Sequence, residues 1–455
     1  MTLRDLPPAT HDLIGIGFGP SNLALAIALQ ELASAGRPLD AHFLEKQQDY
    51  HWHGNTLVSQ SEMQISFLKD LVSMRNPTSP YSFVNYLHRH GRLVDFINLR
   101  TFYPSRMEYN DYLRWAAAHF AGQCSHGEEV VAIEPDGREG PGGRIDRVRV
   151  RSADAQGRER VRMARAIVLS TGGTPRIPQP FAGLQGDSRV THHGGYLNWI
   201  TRQPCASGKP MRIAVIGAGQ SGAEAFIDLH DCYPSAKVDW IVRGAALKPA
   251  DDSPFVNEIF APAYTDVVFE QAQAGRDRLI EEYLNTNYSV IDADLIERIY
   301  AMLYRQKVSG QFRVNLLTRK SVQAAQAVTN GIELTITSAS PGDDASTESR
   351  RYDAVVLATG YERENHRRLL APLASYLGDF SVDRDYRVRA RSELAVPVYL
   401  QGFCQSSHGL SDTLLSVLPA RAEEIASSVH DALTAQRRWT AQPAQAGGTQ
   451  AIAAT

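Results

Sequence analysis

Residues 11–30, HDLIGIGFGPSNLALAIALQ, have the pattern of a short buried strand, a glycine turn and a helix in immediate succession. Residues 12–16 form a brief apolar run suited to a parallel strand, and apolar side chains then recur at helical spacing. Gly15, Gly17 and Gly19 would let the backbone turn tightly and approach a pyrophosphate, whose charge the exposed amides at the helix N-terminus attract. The stretch therefore predicts a dinucleotide-binding turn.

The residues that follow the turn support a cofactor site. Pro20 fills the third small position of the GxGxxG pattern, which is tolerable because proline in a first helical turn lacks only an N–H that would have no partner. Residues 41–45 predict the second strand and end in Glu45, whose carboxylate is placed to accept hydrogen bonds from a ribose diol. This succession favours a cofactor site over a βαβ unit whose glycines are only structural.

The same succession returns in residues 211–229, MRIAVIGAGQSGAEAFIDL. The second turn satisfies GxGxxG fully, with Gly217, Gly219 and Gly222. The next strand ends in Arg243, where the first unit has Glu45. A guanidinium can bind a 2′-phosphate that a carboxylate would repel, so the second site favours NADPH over NADH. The alternative is an arginine that is only solvated at a strand end.

The composition bounds the class of protein. With 455 residues, of which 43% are hydrophobic and 21% charged, the chain can hold two or more domains with large cores. A net charge of -3 gives no reason to expect a nucleic-acid partner. The absence of a CxxC predicts no disulfide framework, metal site or dithiol centre from the four cysteines Cys124, Cys205, Cys232 and Cys404. The N-terminus lacks a signal-peptide layout and no membrane-spanning apolar run is evident, so a cytoplasmic protein is expected.

Periodicity predicts several further elements of the first half. Residues 47–120 are expected to form helices and loops over the cofactor, because their helical spacing is interrupted by prolines. Antiparallel strands are predicted at 130–133, 147–151 and 160–163, around polar turns at Asp136-Gly137 and Gly142-Gly143.

The second half has its own predicted elements. Ser253-Pro254 is a helix-start pair that places Asn257 one turn in. Helices are predicted at 277–283 and 294–304, around a loop at 285–288. Residues 331–337 and 352–358 are expected to form a hairpin on either side of a polar stretch.

Two apolar strands, Ala166–Gly173 and Ala354–Tyr361, contain a Thr-Gly pair at their ends, which lets backbone pass close to a dinucleotide. Thr359 and Gly360 are therefore candidate cofactor contacts. A nicotinamide must pass hydride to an acceptor, and neither a cysteine pair nor a metal-ligand set is evident. The acceptor is best taken as a flavin, FAD, in the first site.

The predicted fold class is α/β, with two Rossmann-like dinucleotide-binding domains, for FAD and NADPH, and helical substrate-binding insertions. The predicted divisions are an FAD-binding first part at 1–188 with a helical insertion at 47–120, an NADPH-binding domain at 189–351 with a helical substrate segment at 250–310, an FAD-binding second part at 352–432, and a disordered tail at 433–455.

Several stretches carry a resemblance to a known family. They are GIGFGPSNL at 15–23, QISFLKDL at 64–71, RNPTSPYSFVNYL at 75–87, DSPFVN at 252–257, NTNY at 285–288, ATGY at 358–361 and HGLSDTLL at 408–415. Together they resemble the class B flavin monooxygenases, and within them the microbial N-hydroxylating enzymes that act on L-ornithine or L-lysine. The resemblance covers nearly the whole chain except about the last twenty residues, and the stretches at 64–71 and 75–87 look closer to the ornithine enzymes.

The resemblance implies FAD, NADPH and oxygen as reactants. In that family reduced flavin and oxygen give a C4a-hydroperoxide, which the unprotonated side-chain amine attacks. The flavin performs the chemistry, so no catalytic side chain is predicted. The product, N5-hydroxyornithine, would serve a hydroxamate siderophore or a related natural product.

The resemblance also implies roles for individual residues. Lys69 would pair with the substrate carboxylate, Asn257 would hydrogen-bond beside it, and Asn287 and Ser411 would lie near the amino groups. Gln64 and Trp52 would contact the flavin, although Trp52 could instead only pack against the protein. Ser221 matches an NADP contact, and its alternative role is to cap the helix.

Other functions stay open at this point. The substrate could be lysine, because pocket depth for one methylene is not visible in composition. The chain could be a flavin reductase that inserts no oxygen, or a redox sensor, although no output module is evident. The family resemblance implies a homo-oligomer such as a tetramer, with no membrane span.

Overall fold

The computed structural model describes residues 9–136, 144–338 and 346–441. The strands are β1 Thr10–His11, β2 Leu13–Ile16, β3 Ala41–Glu45, β4 Cys124–His126, β5 Glu128–Pro135, β6 Val148–Asp154, β7 Glu159–Ala164, β8 Ile167–Leu169, β9 Thr174–Pro175, β10 Val190–His192, β11 Met211–Ile216, β12 Ala236–Ile241, β13 Val314–Leu317, β14 Lys320–Val328, β15 Gly331–Ser338, β16 Thr347–Tyr352, β17 Ala354–Leu357, β18 Tyr361–Glu362 and β19 Val398–Leu400. The helices are α1 Pro20–Ser34, α2 Phe83–Arg89, α3 Leu93–Leu99, α4 Arg106–Ala118, α5 Tyr196–Ile200, α6 Gln220–Cys232, α7 Pro254–Asn257, α8 Tyr264–Phe269, α9 Gln273–Asn287, α10 Ala293–Ser309, α11 Asn365–Leu369, α12 Ala374–Leu377, α13 Gln405–His408 and α14 Leu418–Ala441.

Two parallel sheets of five strands form the framework of the described residues. The first has the order β19-β8-β2-β3-β4 and the second the order β10-β17-β11-β12-β13. In each sheet the strand before a glycine turn, β2 or β11, lies at the centre, and the strand after the following helix lies beside it. Each sheet thus contains the parallel strand-turn-helix-strand unit that the sequence predicted, which confirms the α/β class with two Rossmann-like units.

A smaller sheet with antiparallel pairing accompanies each parallel sheet, and in the first of these β1 pairs with β7 in parallel. The order β1-β7-β6-β5 contains the three predicted strands, each longer than expected, and the turns predicted at Gly137 and at Gly142-Gly143 fall outside the described residues. The second antiparallel sheet has the order β14-β15-β16. The predicted hairpin exists, but its second strand is β16, and the expectation of residues 352–358 for that strand is wrong.

The predicted domain boundary at residue 352 does not coincide with the point where the chain leaves the second parallel sheet. Strand β17 pairs in parallel with β11, with Ile213 opposite Ala354, so it belongs to the second parallel sheet and not to the FAD-binding part. The chain returns to the first sheet only at β19, which pairs with β8. The sequence of a short apolar strand does not indicate which strand it pairs with, so β17 could have joined either sheet.

Helices occupy the predicted insertions. Helices α2, α3 and α4 fill the second part of residues 47–120, and α7 begins after Ser253 as predicted. The expected loop at 285–288 is mostly helix, because α9 continues to Asn287.

The C-terminal helix runs further than expected. Helix α14 extends to Ala441, so the tail predicted from residue 433 is wrong as far as 441, and the rest lies outside the described residues. Leu433 is 1% exposed and belongs to the same apolar core as Leu25 of α1 and Leu13 of β2. Burial of this apolar face holds the helix beyond the point where composition alone suggests disorder.

Candidate active site

The three glycines of the first turn have different surroundings. Gly17 has φ +82°, and a Cβ atom added there would lie 2.5 Å from the carbonyl oxygen of Ser170, at the end of β8. A Cβ at Gly15 would collide with the ring of Phe43. A Cβ at Gly19 would have no atom within 4 Å. Packing therefore requires the first two glycines, while Gly19 faces the open space that a pyrophosphate would need.

Polar side chains hold this turn in place. Asn22 donates to the carbonyl of Gly17 at 2.6 Å and accepts from Gln401 at 2.9 Å. Glu45 ends β3 as predicted, and its carboxylate accepts from the amide of Phe18 at 2.7 Å. Each carboxylate oxygen has a further lone pair, so the ribose contact of Glu45 stays a prediction. The sequence analysis assigned no role to Asn22. The signal that could have identified it is a polar residue among the apolar residues at the start of α1, and the structure shows that this side chain is fully buried.

The second turn repeats this geometry. Gly217 has φ +129°, and a Cβ there would collide with the carbonyl oxygen of Ala358, at the end of β17. A Cβ at Gly222 would lie 2.6 Å from the carbonyl oxygen of Gly217, whereas one at Gly219 would have Ser289 Cα, at 3.6 Å, as its nearest atom. The two turns therefore fit two dinucleotides, each with one glycine that leaves space in front of a helix N-terminus.

The other predicted contacts of the second nucleotide lie around this turn. Ser221 is the second residue of α6 and makes no capping hydrogen bond, so the alternative capping role is excluded. Arg243 follows β12 by two residues, is exposed and has no ion-pair partner among the described residues. Thr359 donates to the carbonyl of Arg176 at 2.5 Å, and Gly360 has φ +79°. These two residues follow β17, the strand beside β11, and the adjoining Ala358 contacts Gly217 of the second turn.

The residues predicted at the flavin ring lie in the first insertion. The Trp52 ring packs edge-on against Tyr109, with centroids 5.6 Å apart, so packing is one of its roles. Its neighbour His53 is solvent-accessible but is surrounded by protein and by cations. Burial lowers the pKa of His53 to about 4, and Arg106 and Arg363 lower it further. The imidazole is therefore neutral at pH 7 and lies near two guanidinium groups.

Gln64 is part of a network between the two halves. Its side-chain amide donates to Asp292 at 2.7 Å, and the other carboxylate oxygen of Asp292 accepts from Gln220 at 2.9 Å. Gln220, the first residue of α6, also donates to Glu224, which forms a 2.8 Å ion pair with Arg106. Burial raises the pKa of Asp292, and hydrogen bonds from Gln64 and Gln220 oppose that shift. Flavin contact by Gln64 stays a prediction, since its amide is engaged with Asp292.

Lys69 has the properties of an anion anchor. It is half-buried, and its ammonium has neither an ion pair nor a hydrogen bond within the described part of the chain. Burial lowers the pKa of Lys69 from its usual value. A half-buried cation without a counter-ion costs stability unless something negative binds to it.

The three other predicted substrate residues surround one apolar cluster. Its buried members are Ile259, Phe260 and Leu410. Asn257 ends α7 just before the cluster, Asn287 ends α9, and Ser411 follows Leu410 and is 2% exposed. Asn257 donates to the carbonyl of Asp252 at 2.6 Å, which leaves its side-chain oxygen available to a ligand.

Lys69 lies on a separate segment, which is linked to this cluster through Tyr103. The amide of Phe67 donates to the carbonyl of Phe102 at 2.9 Å, so the chain before Lys69 runs beside Tyr103. Tyr103 in turn hydrogen-bonds Asp252, which raises the Tyr103 pKa together with burial. The structure thus connects the Lys69 segment to the Asn257 segment through Tyr103.

A buried ion pair supports the loop that carries Ser411. Asp412 and Arg421 are 1% and 2% exposed and lie 2.8 Å apart. Arg421 also donates to Ser21, in the first turn of α1, at 3.0 Å. This pair joins the substrate loop to the first nucleotide turn. Sequence reasoning included Asp412 in a quoted stretch but assigned it no role.

The chain matches a protein-family model described as L-lysine 6-monooxygenase/L-ornithine 5-monooxygenase over residues 9–363. The chain belongs to this family. It is 62% identical over 433 residues to the L-ornithine N(5)-monooxygenase of Pseudomonas aeruginosa, covering 95% of this chain and 96% of that protein. It matches a solved ornithine hydroxylase from the same organism with a TM-score of 0.88 and 60% identity, over 93% of this chain and 100% of the other.

A third family member was solved with ligands. It is the ornithine N-hydroxylase of Kutzneria sp. 744, with reduced FAD, NADP+ and L-ornithine, at 38% identity and a TM-score of 0.85, covering 94% of this chain and 100% of that one. Among the described residues of the present family member, no group of three or more metal-ligating side chains could hold a metal ion. No described helix is long and apolar enough to cross a membrane.

Proposed function

We propose that the chain is an FAD- and NADPH-dependent monooxygenase that hydroxylates the side-chain amine of L-ornithine at N5. The observation that carries this proposal is the 62% identity over 95% of the chain to an L-ornithine N(5)-monooxygenase. The half-buried, unpaired ammonium of Lys69 supports it, because an amino-acid substrate brings a carboxylate of the opposite charge.

The side chains of the cleft would bind and orient the substrate. When bound, FAD and NADPH supply the reducing equivalents and activate oxygen. Lys69 holds the substrate carboxylate, and Asn257, whose side-chain amide donates only one bond within the described part of the chain, hydrogen-bonds beside it. Asn287 and Ser411 lie near the amino groups. Fixing the head group fixes the reach of the side-chain amine, and a misplacement of about 1 Å can cost orders of magnitude in rate.

The cleft must also favour the neutral amine and limit water. Burial disfavours the charged form of an amine, as the lowered pKa of Lys69 illustrates within this cleft. The apolar cluster of Ile259, Phe260 and Leu410 lies behind the loop of Ser411 and excludes water from that side.

Lysine is the alternative substrate, since the family description includes both amino acids. One methylene in a pocket is worth about 1–3 kcal/mol of discrimination, so a preference of roughly tenfold to two-hundredfold is expected. We propose ornithine because the stretches at 64–71 and 75–87 resemble the ornithine enzymes, and because relatives at 62% and 60% identity are named as ornithine hydroxylating enzymes. The product would supply hydroxamate siderophore biosynthesis.

The test is to load purified protein with FAD, add NADPH and oxygen, and measure hydroxylamine formed from ornithine and from lysine. A product-to-NADPH ratio near one with ornithine is expected. NADPH oxidation without hydroxylamine from either amino acid would instead indicate a flavin reductase. We further propose a cytoplasmic homo-oligomer, such as a tetramer, for which size-exclusion chromatography with light scattering is the measurement.

A further inference from the structure

A second concave site adjoins the candidate active site, and one of its residues, Arg363, also lies near His53. It is a cavity of about 410 Å³ between α9, the segment 363–367 and the segment 403–407. None of the residues predicted to bind substrate or nucleotide lines it. Its distinguishing feature is four arginines, Arg276, Arg363, Arg367 and Arg389.

These arginines have no carboxylate partners. None of the four forms an ion pair within 4.0 Å in the part of the chain that the structure describes. Two carboxylates, Glu364 and Asp379, also line the cavity. Hydrogen bonds from Ser381, and more weakly the charge of Arg367, lower the pKa of Asp379. Four guanidinium groups against two carboxylates leave an excess of positive charge, which repels itself unless an anion is present.

Aromatic rings hold two of the arginines in place without neutralising them. The guanidinium of Arg276 lies 5.1 Å from the centroid of Phe269, and that of Arg367 lies 5.2 Å from the centroid of Phe380. Arg276 also donates to the carbonyl of Phe269. Because these side chains are already ordered, a ligand would not have to restrict them on binding.

A buried histidine on the cavity wall has a free hydrogen-bonding position. His366 is 5% exposed, and its Nδ1 has no hydrogen-bond partner among the described residues. Its ring packs against Phe403, with centroids 4.7 Å apart, which fixes the orientation of the imidazole. Burial lowers the pKa of His366 to about 4, and Arg367 lowers it further, so the ring is neutral at pH 7. A buried polar atom without a partner is costly and is commonly matched by a ligand or water.

Another cavity of the described residues does not share these features. It has a volume of about 780 Å³ and lies beside α6 and α10. Arg298 there is paired with Asp231, and Arg313 donates to backbone carbonyls of His230, Tyr233 and Ala236. Arg298 and Arg313 therefore already have partners within the protein.

We propose that the cavity of the four arginines binds a small anion that carries two or more carboxylate or phosphate groups. Guanidinium groups pair bidentately with both kinds of oxyanion, and several such pairs can form at once around this cavity. The volume lies in the lower part of the range of about 300–1,000 Å³ typical of small-molecule sites, which suits a di- or tricarboxylate or a pyrophosphate. The proposal does not rest on the hydroxylase activity, because its test measures anion binding alone.

The test is isothermal titration calorimetry with citrate and, separately, with inorganic pyrophosphate at constant ionic strength. The protein is first saturated with FAD and NADP+, so that the phosphate positions of both nucleotide sites are filled. We expect saturable binding of one anion per chain, weakened at least tenfold in Arg367→Ala/Arg389→Ala. Arg202→Ala, which removes an exposed arginine that also lacks an ion pair, is the matched control and should bind as wild type does.

The outcomes separate the ligand classes and the proposals. Citrate binding alone identifies carboxylates as the ligand class, and pyrophosphate binding alone identifies phosphates. Absence of saturable binding for both probes, or equal affinity in wild type and double variant, would overturn the proposal. Failure of ornithine hydroxylation would leave these titrations unaffected, so the two proposals fail independently.

Discussion

Gln64 of the first insertion donates a 2.7 Å hydrogen bond to Asp292, which immediately precedes α10 in the second half of the chain. Asp292 also accepts from Gln220, at the N-terminus of the helix that follows the second glycine turn. One carboxylate therefore fixes a residue predicted to contact the flavin relative to the helix predicted to bind NADPH. The Asp292 side chain makes no capping hydrogen bond to α10. Its hydrogen bonds with Gln64 and Gln220 therefore connect the two predicted cofactor sites.

Asp292→Ala should weaken the link between the two cofactor sites. It removes the acceptor of the exposed Gln64 amide and one of the two acceptors of the Gln220 amide, which still donates to Glu224. We expect the KM for NADPH to rise about tenfold and hydroxylated product per NADPH to fall. Asp294→Ala, which removes an exposed carboxylate from the same helix, is the control. Equal kinetics in the two variants would contradict the positioning role of Asp292.

Replacement of single glycines should separate folding from cofactor binding. Gly19→Val has space for its side chain in the protein, so it should fold normally but lose FAD, because the branched side chain would occupy the pyrophosphate position. Gly17→Val should unfold at lower temperature, since it combines strained φ with a collision at Ser170. The measurements are FAD absorbance after gel filtration and thermal unfolding.

Gly122→Val, whose added side chain also meets no atom within 4 Å, is the control for these variants. It should retain both yellow colour and stability. FAD retained at wild-type levels by Gly19→Val would contradict the position assigned to the pyrophosphate.

Arg243→Ala should reduce affinity for NADPH and leave NADH nearly unchanged. The exposed, unpaired guanidinium has no visible structural role, so its loss should cost only the charge-assisted contact to the 2′-phosphate, about 1.5–3 kcal/mol or roughly tenfold to a hundredfold. The measurement is the Kd of each coenzyme for both proteins. A parallel loss with both coenzymes would remove the basis for this assignment.

His408 should make stability depend on pH. Burial lowers its pKa to about 4, and the ring stacks on Tyr386 with centroids 4.0 Å apart. The unfolded histidine binds a proton near pH 6.5 while the folded one does not, so stability is retained above pH 6.5 and lost as pH falls towards 4, by up to about 3 kcal/mol. Urea unfolding should show a shallower pH dependence in His408→Gln between pH 6.5 and 4.5. The same slope as wild type there would contradict the neutral buried state.

Local patterns were enough to predict the two nucleotide turns. The succession of strand, glycine turn and helix is written in consecutive residues, so β2, α1, β11 and α6 all begin close to where the sequence placed them. Pro20 begins α1, as its position predicted.

Contacts between residues that lie far apart in the sequence could not be predicted from local patterns. The placement of β17 in the second sheet depends on which neighbour it meets, and the helical state of Asn285 depends on packing of α9 against the apolar cluster. The Asp412–Arg421 pair and the Asp292 network join residues whose partners only the fold brings together. The substrate residues were named from a family resemblance, and spacing alone would not have selected Lys69.

The most direct test of the account is hydroxylated product per NADPH oxidised, for wild type and Lys69→Ala, with ornithine and with its decarboxylated analogue 1,4-diaminobutane. If Lys69 holds the substrate carboxylate, the variant should keep its FAD and lose about tenfold to a hundredfold in apparent affinity for ornithine. The analogue should be a poor substrate of both proteins, and Lys209→Ala, an exposed lysine, should behave as wild type. Undiminished ornithine hydroxylation by Lys69→Ala would contradict the substrate anchor.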